Sequence, residues 1–153
     1  MGTSDTKKDL QVIIAGSRSF DDYGLLQSKC DEILSFLEQE NTITIVSGTA
    51  SGADRLGERY AEQHQYQIKR YPADWKRFSL SAGPIRNKLM ADHADMLIAF
   101  WDGKSRGTQN MIKTARKAGL SVRVIPFTNS QNMTQLSLST AAKQQDRLIH
   151  YSL

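Results

Sequence analysis

The chain has 153 residues, 39% hydrophobic and 24% charged, with 20 Lys and Arg against 16 Asp and Glu for a net charge of +4. This composition suits one soluble domain with its own core and excludes collagen-like or low-complexity sequence; no apolar run approaches the ~20 residues of a membrane span. A single cysteine, Cys30, excludes an internal disulfide framework, so the cytoplasm is the expected compartment. The mild basicity admits phosphate-bearing partners without requiring them.

Met1 to Asp9 is polar, lacks an apolar signal core and reads as a disordered lead. Leu10 to Ala15 is an apolar run of strand length that ends at Gly16. Asp21 or Asp22 is placed to cap a helix in which Leu26, Cys30, Ile33, Leu34 and Leu37 recur at three- and four-residue spacing, with Asn41 as its stop. Cys30 then falls among core residues. Thr42 to Val46 predicts a second strand. A loop of Gly, Ser and Thr follows, then a helix over Arg55 to Gln65 with Leu56, Tyr60 and Ala61 on one stripe. Tyr66 to Tyr71 alternates faces, as a strand near an edge does. Pro72 to Ala82 reads as a loop containing Trp75. Pro84 sets the first turn of a helix with Ile85, Leu89 and Met90 expected inward. Met96 to Trp101 is a fourth strand and Asp102 to Arg106 a turn. A helix runs from about Thr108 to Lys117 with Gly119 as its stop, and Leu120 to Ile125 is a fifth strand closed by Pro126. Thr128 to Ser139 is a polar extension that leads into a short helix, Thr140 to Ile149.

Strand-helix alternation over residues 10–126 with short connections predicts an α/β, Rossmann-like, doubly wound and mostly parallel sheet of about five strands. It forms a single domain, preceded by the lead 1–9 and followed by the C-terminal extension 127–153. Such sheets bind ligands beyond the carboxyl ends of their strands, near the switch in strand order. Four groups fall there.

Gly16-Ser17-Arg18 brings a hydroxyl and a guanidinium to the sheet edge; Arg18 either grips a phosphate with paired hydrogen bonds or pairs with Asp21 or Asp22. Ser47-Gly48-Thr49-Ala50-Ser51-Gly52-Ala53-Asp54 is a strand-loop-helix junction. It is either an anion cradle, with backbone N–H groups and the positive helix end facing a ligand, or a tight turn capped by Ser51 or Asp54. Asp54 there either supports the helix dipole or holds a ribose hydroxyl. Arg86 and Asn87 lie in the first turn of the Pro84 helix, where a cation opposes the dipole and a bound anion would offset that. Asp102 to Asn110 is a second Gly-containing loop opening a helix. Ser105 and Thr108 are its hydroxyls and candidate caps, Gly107 its close-approach position, and Lys104 and Arg106 its positive charge. Trp75 is the freer of the two tryptophans for base stacking, Trp101 the more core-like. His64, His93 and His150 share no metal-ligand spacing with one another or with Cys30, so no metal site is expected, and no Gly-x-Ser-x-Gly elbow is present.

Taken jointly, Ala15-Gly16-Ser17-Arg18, Val46 to Asp54, Pro72-Ala73-Asp74-Trp75, Arg86-Asn87-Lys88-Leu89-Met90 and Gly107-Thr108 resemble the SLOG superfamily, nearest its YspA and YpsA-like members. The resemblance covers roughly residues 11–126 and implies a Rossmann-like fold binding a nucleotide or nucleotide-derived ligand at the edge described, as a sensor or sequestering protein. A dimer or tetramer is the implied assembly. Two related branches imply other activities. Arg86 to Met90 and the Gly107-Thr108 loop are similar to segments of the Lonely Guy phosphoribohydrolases, which split nucleoside monophosphates at the N-glycosidic bond. Here, however, Asp102 to Arg106 replaces the Pro-Gly-Gly lead, and Asn110 stands where their catalytic glutamate follows. An amide cannot stabilise an oxocarbenium-like state as a carboxylate does, so hydrolysis would need Asp54, Asp74 or Asp102 instead. The Gly-Ser-Arg, Ser-Gly-x-Ala-x-Gly and Arg-Asn segments are also similar to those of the DNA-processing protein A family, which binds single-stranded DNA. The basic residues here are spread along the chain without interleaved aromatics, which makes nucleic acid the less favoured partner. No cofactor is expected.

Overall fold

A computed structural model describes residues 7–128; the expected C-terminal helix and residues 1–6 of the lead lie outside the described residues. Five parallel strands make one sheet in the order β3-β2-β1-β4-β5. The strands are β1 Lys8–Gly16, β2 Asn41–Ser47, β3 Gln67–Arg70, β4 Met96–Trp101 and β5 Ser121–Pro126. The helices are α1 Tyr23–Leu37, α2 Ala53–Gln63, α3 Trp75–Phe78, α4 Ala82–Asp92 and α5 Arg106–Lys117, with a 3-10 turn over Ser79–Ser81.

Strand β1 begins at Lys8, within the stretch expected to be a lead, because Lys8 and Asp9 pair with Asn41 and Thr42. Buried parallel strands need apolar residues on both faces, and the alternation sorts them. Val12, Ile14, Ile43, Ile45, Ile98 and Phe100 pack on one face with Leu26, Cys30 and Leu34 of α1 and Tyr60 and Ala61 of α2. Ile13, Ala15, Val46, Leu97 and Ala99 pack on the other with Met90 of α4 and Met111, Ile112 and Ala115 of α5. The chain winds outward through β2 and β3 and returns to place β4 beside β1. The winding direction therefore reverses between β1 and β4, and the two helix pairs take opposite faces. β3 is an edge strand, as its alternation implies.

Local punctuation follows its chemistry. Asp22 caps α1, accepting from the Leu25 N–H at 3.0 Å. Asn41 is not the helix stop itself but the first residue of β2, and its side-chain amide donates back to the Leu37 carbonyl at 2.8 Å. Gly119 ends α5 at φ 83°, with Gly119 N–H on the Arg116 carbonyl and Leu120 N–H on the Ala115 carbonyl, a left-handed cap that favours glycine.

Two further expectations are overturned. The stretch 72–82 is not all loop: Asp74 accepts from the Arg77 N–H at 3.1 Å and starts the four-residue α3. Of the residues expected inward on α4, only Met90 is; Ile85 and Leu89 are exposed. The buried stripe is Gly83, Asn87, Met90 and Ala91, because α4 lies close against α5 and the polar Asn87 has partners there.

Candidate functional site

At the carboxyl ends of β1 and β4, where the strand order switches, a cavity of about 700 Å³ opens between the β1 loop, the first turns of α4 and α5, and the α3 segment. Its floor is built by a close approach. A Cβ on Gly16 would run into the Phe100 carbonyl, and Ser17 N–H bonds that same oxygen at 3.0 Å. The β1 loop is thereby pinned to β4. The buried Ser17 hydroxyl in turn accepts from the Asp102 N–H at 3.3 Å.

The 47–54 loop commits three of its amides inside the protein: Thr49 N–H on Ser47 Oγ at 3.1 Å, Ala50 N–H on Asp54 Oδ2 at 3.0 Å, and Ala53 N–H on the Ser17 carbonyl at 3.3 Å. Neither Ser51 nor Asp54 caps α2; Gly52 does, at φ 79°, with no side-chain bond. Gly52 presses on the Ser17 and Arg18 carbonyls so closely that no Cβ fits. Ser47 is fully buried and donates to Glu58 at 2.6 Å; Glu58 also holds Arg70 at 3.0 Å. Ser47, Gly48, Gly52 and Ala53 therefore stand behind the cavity wall, while Ala50 and Asp54 form it.

Asp54 is 5% exposed and lines the cavity. Burial pushes its carboxyl up to about 6, against the Ala50 amide and Arg86, which favour the charged form; Glu58 adds to the rise and Arg18 opposes it. Arg86 comes in from α4. Its guanidinium donates to the Gly48 carbonyl and, through Nε, to Asn87 Oδ1 at 2.9 Å. Asn87 passes the connection on, its Nδ2 donating to Asn110 Oδ1 at 2.9 Å and reaching the Gly107 carbonyl at 3.4 Å. A side-chain chain thus joins the 47–54 loop to α5. Burial lowers the Arg86 pKa, Asp54 restrains the fall, and Arg18 adds to it.

Arg18 makes no ion pair with Asp21 or Asp22 among the described residues; its guanidinium lies 5.8 Å from the Trp75 ring centroid. Trp75, 48% exposed, and Leu80, 90% exposed, form an apolar lip. On the opposite side Asp102 Oδ1 accepts from Lys104 N–H at 2.9 Å and Ser105 N–H at 2.8 Å. Burial alone would raise the Asp102 carboxyl, but these amides and the Ser17 hydroxyl hold it below the usual range. Ser105 occupies the N-cap of α5 without capping it; its hydroxyl meets that of Thr108 at 3.0 Å. The first-turn amides of Arg106, Gly107 and Thr108 consequently have no partner among the described residues. The first turn of α5 therefore borders the cavity with free amides, beside the first turn of α4.

Most of the residues expected at the site converge: Gly16, Ser17 and Arg18; Ala50 and Asp54; Trp75; Arg86 and Asn87; and Asp102, Ser105, Gly107 and Thr108 all line the cavity. Of the carboxyl candidates, Asp74 is exposed, away from the cavity, and occupied in capping α3. Asp102 is engaged by two amides, and Asp54 keeps an oxygen for other work. Trp101 donates its indole N–H to the Ser105 carbonyl at 3.0 Å and supports the loop from behind. Sequence reasoning missed Leu80, Met90 and Met111 as lining residues, since an apolar residue in a helix gives no local sign that it faces a cavity.

The family model described as YspA, cpYpsA-related SLOG family matches residues 10–78. Over 118 residues the chain is 30% identical to the Gene 61 protein of Mycobacterium phage D29, a span of 73% of this chain and 93% of that protein. The chain belongs to the YspA, cpYpsA-related SLOG family. Its fold is shared with DNA processing protein A from Streptococcus pneumoniae, at a TM-score of 0.58 and 21% identity over 83% of this chain and 53% of that one. The DNA processing protein A from Helicobacter pylori, whose structure was solved for its single-stranded DNA binding mode, aligns at 0.56 and 21% over 90% and 76%. This SLOG chain thus spans about half the length of the S. pneumoniae protein. No helix among its described residues is long and apolar enough to cross a membrane.

Proposed function

We propose that this SLOG chain binds a nucleotide or nucleotide-derived ligand in the cavity between α4 and α5. The observation that carries the reading is the convergence of unlike groups on one space. Arg18 and Arg86 and the uncapped first turn of α5 supply positive potential, Ser105 and Thr108 supply hydroxyls, and Trp75 and Leu80 supply an apolar lip. A phosphate suits the first group, a sugar the second and a base the third. Gly107 supports a close approach. A Cβ there would meet nothing within 4 Å, so packing does not require glycine in this helical turn, and its helix cost is left to be explained by what enters the cavity.

Calorimetry with nucleoside mono-, di- and triphosphates, cyclic nucleotides and ADP-ribose tests the reading. Micromolar binding that is abolished in Arg86→Ala and in Arg18→Ala is expected; no heat with any of them overturns it. Release of free base from a nucleoside monophosphate would instead make the chain an N-glycosidase, with Asp54 and Asp102 the carboxyls that line the cavity.

The likeness in fold to the H. pylori protein favours a second reading, single-stranded DNA binding across the same rim, where Lys76 and Arg77 are exposed next to Trp75 in the chain and Lys104 and Arg106 are exposed on the opposite side. The two differ in salt dependence. Strand binding weakens steeply with salt as counterions are released from several phosphates, whereas an enclosed ligand with one or two phosphates loses little.

A further inference from the structure

We infer that Asp54 makes the cavity selective for ribose over deoxyribose, so that its ligand is a ribonucleotide or a ribose-bearing derivative of one. The inference rests on the nucleotide reading above and narrows it.

Asp54 is an anion in a cavity that, apart from it and the amide-bound Asp102, is furnished for anions. One carboxylate oxygen is held by the Ala50 amide, and the other has no hydrogen-bond partner among the described residues. Neither Arg86 nor Arg18 forms an ion pair with it. The Ala50 amide, Arg86 and Arg18 offset the cost of burying this carboxylate only in part, and only a group in the cavity can relieve the rest. Phosphate cannot, since like charges repel. The group that meets Asp54 must therefore be a hydrogen-bond donor.

Beside it, Arg86 has committed Nη1 to the Gly48 carbonyl and Nε to Asn87, leaving one nitrogen of its fork. Gly48 keeps the two side chains together: a Cβ there would sit 2.7 Å from Arg86 Nη1 and 2.9 Å from Asp54 Oδ2, the two engaged atoms, so the remaining oxygen and nitrogen belong to side chains that flank one glycine. An acceptor and a donor side by side suit a group that is both. A sugar hydroxyl donates to Asp54 and accepts from Arg86; an exocyclic amine only donates. The apolar lip of Trp75 and Leu80 lies at the exposed mouth, which suits the base there and the sugar against the buried wall.

Calorimetry on the full chain with AMP, GMP, CMP and UMP, and with the 2′- and 3′-deoxy form of each, decides the matter. At least one ribonucleotide is expected to bind about tenfold or more tighter than its 2′- or 3′-deoxy form, because the deoxy form leaves Asp54 unpaired. In Asp54→Asn, which turns the free acceptor into a donor, that ratio should fall to about one through loss of the ribonucleotide's affinity, while thermal melting shows the variant folded. Equal binding of ribo and deoxy forms to the wild type overturns the inference and leaves the nucleotide site standing. Failure of these and of every ligand in the wider panel above to bind overturns both. If Asp54→Asn keeps the sugar ratio but loses a preference for AMP over IMP, Asp54 reads the base, and the inference is wrong.

Discussion

If Asp54 is kept for a ligand at the expense of the fold, replacing it should make the protein more stable, and only above the pH at which it ionises. Its carboxyl rises from 3.8 to about 6 on folding, chiefly through burial. The folded state therefore holds this proton more tightly than the unfolded chain does. Wild-type stability from this group is greatest below pH ~4, falls as pH rises through ~6, and is level above that; a shift of about two pH units amounts to about 3 kcal/mol. Asp54→Asn keeps the shape, and its side-chain oxygen can still accept from Ala50 N–H, but it carries no charge at any pH. Urea unfolding of the two proteins should thus give a stability difference that is small at pH 4, grows through pH 5 and 6, and levels near 3 kcal/mol in favour of Asn at pH 7.5. That corresponds to roughly 10 °C in melting temperature for a domain of this size. Titrating groups that do not interact with Asp54 are common to both proteins and cancel in the difference. A gap that stays constant between pH 4 and 7.5, or one that grows in favour of Asp, refutes the reasoning.

Gly107→Ala should raise stability by about 0.5–1 kcal/mol, since it replaces glycine within α5 where a Cβ meets nothing, yet weaken nucleotide affinity; denaturation and calorimetry on the same sample separate the two effects. Gly52→Ala should cost several kcal/mol or prevent folding. It forces a Cβ against the Ser17 and Arg18 carbonyls at a positive φ, and a normal melting temperature would contradict the described packing. Arg86→Lys should behave like Arg86→Ala, destabilising the domain by about 1–3 kcal/mol and abolishing binding, because a single ammonium cannot span the Gly48 carbonyl and Asn87 as the fork does. Asp102→Ala should cost about 1 kcal/mol by freeing the Lys104 and Ser105 amides, with slowed protease resistance of the 102–105 loop lost first in limited digestion.

The architecture was legible because its strands are short apolar runs and its helices carry three- and four-residue periodicity, with Asp22 and Gly119 marking ends that local chemistry explains; Pro84 instead falls third in α4, which starts at Ala82 and so puts Arg86 and Asn87 beyond the first turn where they were expected. α3 was not legible, since four residues starting at Trp75 are too few to show a period. α4 misled for a different reason. Its apolar residues Ile85 and Leu89 suggested an inner face, but burial goes to the residues that find partners, and buried Asn87 finds Asn110 and Arg86.

The site divides along the same line. That Arg18, Asp54, Arg86 and Thr108 would meet follows from the topology, because every one lies beyond a strand's carboxyl end. Which of the rim's groups are free does not follow from any local pattern. The 47–54 loop has the glycines and hydroxyls of an anion cradle, yet Ser47, Asp54 and the distant Ser17 carbonyl take up the amides of Thr49, Ala50 and Ala53. The quieter loop at 105–108 keeps the amides of Arg106, Gly107 and Thr108, because Ser105 turns its hydroxyl to Thr108 instead of capping the helix. A hydrogen-bond donor is available to a ligand only after the protein's own acceptors have been counted, and those acceptors arrive from other strands.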